Sequence, residues 1–351
     1  MTREQKIEQI AKFIVHTTFK LKEGDTLVIT SDYGSHHDIN EAVSRETYAA
    51  GAKCLIIKTA PAPSHGKIAD TVVAYKPFTA MMKEANYWLD TGTMGWLYSD
   101  AFEDSFVNNP NLHYMLISIM DVDELMDMLL GCYSPEMQAM TDYMAEMILK
   151  AKGLRVTNHD GTNFTFEIDT NNRNNAQIGL ADKPGFYTPP AMYNMIPKYG
   201  TLQGKAVVRC IYADPWGMAA PTTVNFKDGK IDTITSEDPT VAKKFTAWLE
   251  SKNEENIYKI SHINFGLLPK LHEFSDHGIK NERMWGGINL GFGHTSPVDM
   301  RPNGQTSCDH LDIIADKCDV WVDDTKVMEN GEFVGPFKSY ADAVLKVNGM
   351  L

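Results

Sequence analysis

Apolar positions recur at helical spacing from the start of the chain. Ile7, Ile10, Ala11, Ile14 and Val15 fall on one face of a helix expected over residues 5–20. A turn at Lys22-Glu23-Gly24-Asp25 leads into Thr26-Leu27-Val28-Ile29-Thr30, a run apolar enough for a buried strand. A helix over 40–50, closed by Gly51, precedes a second strand at Cys54-Leu55-Ile56-Ile57. The alternation continues with helices near 78–85, 101–107 and 121–130, and strands at 87–90 and 114–118. Strands separated by helices predict a mostly parallel sheet covered on both faces. A Met-rich helix from Ser134-Pro135 to about residue 150, with proline in its first turn, reads as the connector out of this α/β domain.

The pattern changes after Gly153. Segments 154–158 and 163–168 flank His159-Asp160-Gly161 and predict a β-hairpin. Strand-like stretches follow at 207–212, 223–226 and 230–234, the last two joined by Asp228-Gly229. A helix at 242–251 interrupts them. Further strands are expected at 260–265, 287–290, 311–314 and 320–322, then a hairpin on Asn330-Gly331 and a closing helix over 340–347. The fold class expected is an α/β N-terminal domain, residues 1–150, followed by a β-rich α+β domain, residues 151–351.

Composition narrows the functional classes. The 351 residues are 43% hydrophobic and 23% charged, as in ordinary globular proteins, and the length favours two domains. A formal net charge of -13 argues against nucleic acid or an anionic membrane surface as partner. No apolar run approaches the ~20 residues of a membrane span. Met1-Thr2-Arg3-Glu4-Gln5-Lys6 enters an amphipathic helix and carries no signal-peptide core. Five dispersed cysteines without CxxC spacing exclude a zinc ribbon and point to a cytoplasmic setting.

Candidate chemistry is unevenly distributed. The loop Ser31-Asp32-Tyr33-Gly34-Ser35-His36-His37-Asp38 follows the first strand, where open parallel sheets bind ligands, yet it has neither GxGxxG nor GxxxxGK[ST]. Five of the 11 histidines, His262, His272, His277, His294 and His310, lie between Ser261 and Asp312, among several carboxylates. On a strand, His310 and Asp312 project to one face. That is half of a metal site or a His–Asp orienting pair. A thiolate-free His/carboxylate set suits Fe(II), Mn(II) or catalytic zinc, whereas scattered surface histidines would need no metal.

Three stretches carry a family resemblance: Ser261-His262-Ile263-Asn264-Phe265-Gly266, Asn281-Glu282-Arg283-Met284-Trp285-Gly286-Gly287-Ile288-Asn289-Leu290-Gly291-Phe292-Gly293, and Cys308-Asp309-His310-Leu311-Asp312. In order and spacing they resemble the C-terminal domain of the aminopeptidase T family of metallopeptidases, and more closely the related 2,5-dihydroxypyridine 5,6-dioxygenases. The peptidases carry a glutamate at the position of His262 and a histidine where this chain has Asn289. The resemblance therefore implies one metal rather than two, held by His262, His310 and Asp312.

The same resemblance implies an Fe(II)-dependent, extradiol-type dioxygenase, acting with O₂ on a small hydroxylated aromatic such as a dihydroxypyridine and assembling as a homo-oligomer. Three protein ligands on a six-coordinate ion leave positions for substrate and O₂. His294 is the candidate base for the substrate hydroxyl, and Glu282 a candidate orienter of a ligand histidine. Trp285 and Phe292 are candidate pocket walls. The alternatives are an aminopeptidase-like hydrolase using zinc or cobalt, with Glu282 activating water, and a non-catalytic metal-binding relative.

Overall fold

The computed structural model describes residues 1–117, 120–172, 174–212, 217–300 and 303–351. Contacts divide the chain into two compact units: residues 1–133 with 177–190, and residues 134–176 with 191–351.

The first unit is built on a parallel sheet. Its strands are β1 (Thr26–Asp32), β2 (Lys53–Thr59), β3 (Tyr87–Asp90), β4 (His113–Leu116) and, from far along the chain, β8 (Gly185–Tyr187). They lie in the order β2-β1-β3-β4-β8, all pairs parallel. Helices Arg3–Lys12, His37–Ala49, Tyr75–Met82 and Asp100–Asn108 alternate with the strands as the periodicity predicts. The strand expected over 114–118 ends at Leu116, and Ser118 lies outside the described residues.

The buried Asp90 at the end of β3 shows how this core tolerates a carboxylate. It accepts from Thr30 Oγ1 (2.9 Å), Tyr114 OH (3.0 Å), Trp96 N (2.7 Å) and Gly92 N (3.2 Å), so each of its oxygens is engaged. Asp32, at the end of β1, holds the backbone N–H and hydroxyl of Thr93, both at 2.6 Å. The loop considered for ligand binding is thus tied to its neighbour through Asp32. His36 is the N-cap residue of the following helix, and His37 Nε2 meets Lys58 Nζ at 3.1 Å.

The second unit carries a large, curled antiparallel sheet, thirteen-stranded among the described residues. Its strands are β5 (Gly153–Thr157), β6 (Asn163–Glu167), β7 (Asn175–Gln177), β9 (Met192–Met195), β10 (Gln203–Tyr212), β11 (Gly217–Lys227), β12 (Lys230–Ser236), β13 (Ile260–Gly266), β14 (Ile288–Thr295), β15 (Gln305–Ala315), β16 (Asp319–Val322), β17 (Thr325–Glu329) and β18 (Glu332–Phe333). They run β18-β17-β16-β5-β6-β10-β15-β14-β13-β9-β7, with β11 and β12 branching from β10. The Asp228-Gly229 and Asn330-Gly331 turns have positive φ at both residues (51° and 80°; 50° and 82°), as two-residue hairpins require. The helix Pro135–Ile148 packs on the closing helix Lys338–Val347, with Tyr143 stacked on Tyr340 at 4.9 Å between ring centroids.

Contacts divide the chain differently from the boundary expected near residue 150 in two places. The Met-rich helix opens the second unit instead of leaving the first, because its buried face packs within the second. Residues 177–190 return to the first unit because β8 pairs with β4. No helix among the described residues is long and apolar enough to cross a membrane.

Candidate metal centre

The centre of the antiparallel sheet is the run β13-β14-β15. β14 is buried at every position, and Leu311–Ala315 of β15 are buried throughout, so these strands read as apolar runs with single polar interruptions. In register, Gly291 of β14 lies between His262 of β13 and Asp312 of β15, and Gly293 lies opposite His310. His262, Gly291, Gly293, His310 and Asp312 therefore share one face of the sheet.

The side chains meet on that face. His262 Nε2 and His310 Nε2 are 3.1 Å apart. The Asp312 oxygens lie 3.7 Å from His262 Nε2 and 3.4 Å from His310 Nε2. One donor atom from each of the three residues falls within 4.8 Å of the other two, and this is the group of three or more such donors found among the described residues. Side-chain exposures of 16%, 15% and 8% for His262, His310 and Asp312 leave an opening without solvating the cluster.

Each ligand atom has a reason for its orientation. His310 Nδ1–H donates to the backbone carbonyl of His294 at 2.9 Å, which turns Nε2 toward the cluster. That carbonyl also accepts from Ser261 Oγ at 3.2 Å. Asn289 Nδ2 donates to Asp312 Oδ1 at 2.7 Å. The ring of His262 lies over Gly291, where a Cβ would fall 2.4 Å from its Nε2.

Burial and mutual charge act on all three side chains. Burial lowers the pKa of His262 to about 4, with Asp312 opposing and His310 adding to the effect. For His310, burial also works against the charged form, yet the Asp312 carboxylate and the His294 carbonyl outweigh it and the pKa is raised. Asp312 sits below the ordinary carboxylate range: burial opposes ionisation and the His310 imidazolium wins.

The other expected site residues are placed differently. The imidazole of His294 is buried, and its Nδ1 faces Ser307 N at 3.4 Å; what His294 offers the cluster is its backbone carbonyl. Glu282 follows the short helix Gly278–Asn281 and pairs with the buried Arg283, Oε2 to Nη1 at 2.7 Å. Burial, and then the field of Asp312, push Glu282 up to about 7 against the pull of Arg283. Trp285 packs edge-on against Phe333 (5.1 Å) and Phe292 stacks on Phe226 (5.8 Å), so both are core residues rather than pocket walls. His272 bonds the carbonyl of Pro269, and Asp309 pairs with Lys252 at 2.7 Å. Sequence reasoning gives Asn289 only as a missing ligand and misses it as a support for Asp312. Its signal is its register, two residues before Gly291 on the site face.

A chain with an α/β unit and a unit carrying a curled antiparallel sheet has known counterparts in fold. The structure of a 2,5-dihydroxypyridine dioxygenase from Pseudomonas putida KT2440 superposes with a TM-score of 0.79, at 18% identity, over 97% of this chain and 99% of that one. Wild-type AmpT from Thermus thermophilus, an aminopeptidase T, superposes with a TM-score of 0.64 at 13% identity, over 95% and 100%. The chain belongs to the family described as 2,5-dihydroxypyridine 5,6-dioxygenase, which matches residues 14–335. A curated 2,5-dihydroxypyridine 5,6-dioxygenase of Pseudomonas putida is 33% identical over 96 residues, and that match spans 25% of this chain and 27% of the relative's length.

Proposed function

We propose that this protein is a mononuclear non-haem Fe(II) dioxygenase of the extradiol type, opening the ring of a hydroxylated N-heteroaromatic such as a dihydroxypyridine. The observation that carries this reading is the convergence of His262 Nε2, His310 Nε2 and an Asp312 oxygen on one face of three adjacent strands. Two imidazoles and one carboxylate are the donor set of the Fe(II) oxygenases. The family and the names of its relatives support the substrate class.

The residues fit a cation on three further counts. His310 Nδ1 is committed to a carbonyl, which leaves Nε2 for a metal. Gly291 leaves the space that the His262 ring fills. The Asn264 side chain is a hydrogen-bond neighbour of the His262 ring, whose Nε2 faces His310 and Asp312 and is left for a metal. When bound, a ferrous ion supplies adjacent coordination positions for a chelating hydroxylated ring and for O₂. The chain's own part is to fix the three donors, keep them largely out of water, and accept the substrate's hydroxyl proton. Glu282, with its pKa raised toward neutrality, suits that last task better than His294, whose ring faces a backbone N–H. The five dispersed cysteines, without CxxC spacing, support a cytoplasmic setting, and we extend the homo-oligomer expectation to this chain as part of the proposal.

Anaerobic reconstitution with Fe(II), followed by oxygen uptake against a panel of hydroxypyridines and catechols, tests the reading. Stoichiometric uptake with a hydroxypyridine is the expected result. No uptake with any ring, together with cleavage of Leu-p-nitroanilide by Zn(II)- or Co(II)-loaded protein, overturns it in favour of the hydrolase. Metal binding with neither activity, and with Mn(II) no better than Fe(II), leaves a non-catalytic relative.

A further inference from the structure

Next to the ligand cluster, on the same face of the sheet, the structure places a row of buried carboxamides. Asn264 of β13 is the register partner of Asn289 on β14 and of Asn194 on β9. Their exposures are 1%, 0% and 6%, unusual for a residue type that is mostly found at the surface. Asn264 is two residues from His262, and Asn289 two residues from Gly291 and diagonal to Asp312, so the side chains share the ligand face.

The polar atoms of this row are incompletely matched in a particular way. Asn289 Nδ2 donates to Asp312 Oδ1, which leaves Oδ2 as the oxygen nearer His310 Nε2. Asn264 Oδ1 and His262 Nδ1 are both buried and neither makes a hydrogen bond of good geometry with a described residue, yet the Asn264 side chain lies near enough to His262 to favour the charged ring as a hydrogen-bond acceptor. An imidazole that gives Nε2 to a metal carries its proton on Nδ1, and that proton needs an acceptor. On this strand face, Asn264 Oδ1 is an acceptor of the right kind two positions away. A buried acceptor left unmatched costs stability, so a donor from His262 is worth more here than at the surface.

We propose that Asn264 and Asn289 are paired positioning residues of the metal centre: Asn264 accepts the Nδ1 proton of His262, and Asn289 holds Asp312 so that it offers Oδ2. The inference rests on the Fe(II)-site reading and deepens it. With the His294 carbonyl on His310, each of the three ligands then has one uncharged support. A carboxylate at 289 would face Asp312 and repel it, while a carboxylate at 264 would make a stronger acceptor for His262.

The test is anaerobic calorimetric titration of the metal-free full chain with Co(II) and Fe(II), with Co(II) d–d spectra and thermal unfolding recorded alongside. Wild type is expected to bind one ion per chain. Asn264→Leu and Asn289→Leu should each weaken binding by about 10–100-fold and shift the Co(II) bands, whereas Asn264→Asp should bind at least as tightly as wild type. A role in packing alone predicts the opposite order, with the buried charge of Asn264→Asp worse than the apolar Asn264→Leu. If the leucine variants do not fold, Asn264→Asp still decides: retained affinity and altered bands support the proposal, and a loss beyond tenfold overturns it. Leucine variants matching wild type in affinity and spectrum also overturn it, while leaving the metal-site reading intact. Absence of binding by wild type overturns both.

Discussion

The imidazole of His262 lies directly across Gly291: a Cβ on that glycine would sit 2.4 Å from both Cε1 and Nε2 of the ring. The backbone of Gly291 is not among those with positive φ, so alanine is excluded by the neighbouring ring and not by strain. Gly291→Ala is expected to fold and to push His262 away from its partners. Metal affinity should fall by at least about tenfold, the scale of a misplaced ligand, as read by calorimetry. Unchanged affinity would mean that the ring has room to move without losing the metal.

Removing a ligand should separate metal binding from folding. A bound ion at 100 times its Kd stabilises the fold by about 2.7 kcal/mol. Wild type is therefore expected to show a higher Tm with Fe(II) or Co(II) than after chelation. In His262→Ala, His310→Ala and Asp312→Ala that metal-induced rise should vanish, with no metal found by elemental analysis. A variant that keeps its full metal content removes its residue from the site.

Metal affinity should depend on pH through one proton. In the metal-free protein His262 is neutral across the ordinary range, since its pKa is lowered to about 4, and Asp312 is ionised. His310 has a raised pKa: burial opposes its charge, but the Asp312 carboxylate prevails. The metal needs His310 neutral, so a proton must leave below that pKa. The apparent affinity is expected to fall by about tenfold per unit as pH drops below it and to level off above it. Calorimetry in buffers of differing ionisation enthalpy counts the released proton. A slope near two would show that His262 is also protonated in the free protein.

Much of this was legible in the sequence because it rests on local rules. The 2.0-residue period placed His310 and Asp312 on one strand face, and Asp228-Gly229 and Asn330-Gly331 fixed their hairpins. His262 entered the ligand set through family resemblance, since its nearness to His310 depends on β14 lying between β13 and β15. The role of Gly291 and the support from Asn289 are likewise properties of strand register, which no window of sequence contains. β7, β8 and β9 are three or four residues each, too short to show a period, and β8 joins a sheet whose previous strand ends nearly seventy positions earlier. The carbonyl of His294 carries no side-chain signal at all.

Glu282 and Arg283 form a buried pair whose two members should fail differently. Arg283 has 2% side-chain exposure and also donates to the Ile279 carbonyl at 2.8 Å, so Glu282→Ala takes the carboxylate from a buried guanidinium that keeps other partners and is expected to cost up to about 3–5 kcal/mol in unfolding free energy. Glu282→Gln keeps an oxygen for Arg283 and should cost less. If Glu282 accepts the substrate proton, Glu282→Gln should retain one metal per chain yet lose about 10²–10⁴-fold in kcat. Its raised pKa sets the sign of the pH profile: the base works only when ionised, so the wild-type rate should rise with pH. The value of about 7 already includes the pull of Arg283 at 2.7 Å, and a bound cation would lower the midpoint of that rise further. In Glu282→Gln the acidic limb should flatten. An unaltered limb in a metal-loaded, folded variant would assign the proton transfer to another group.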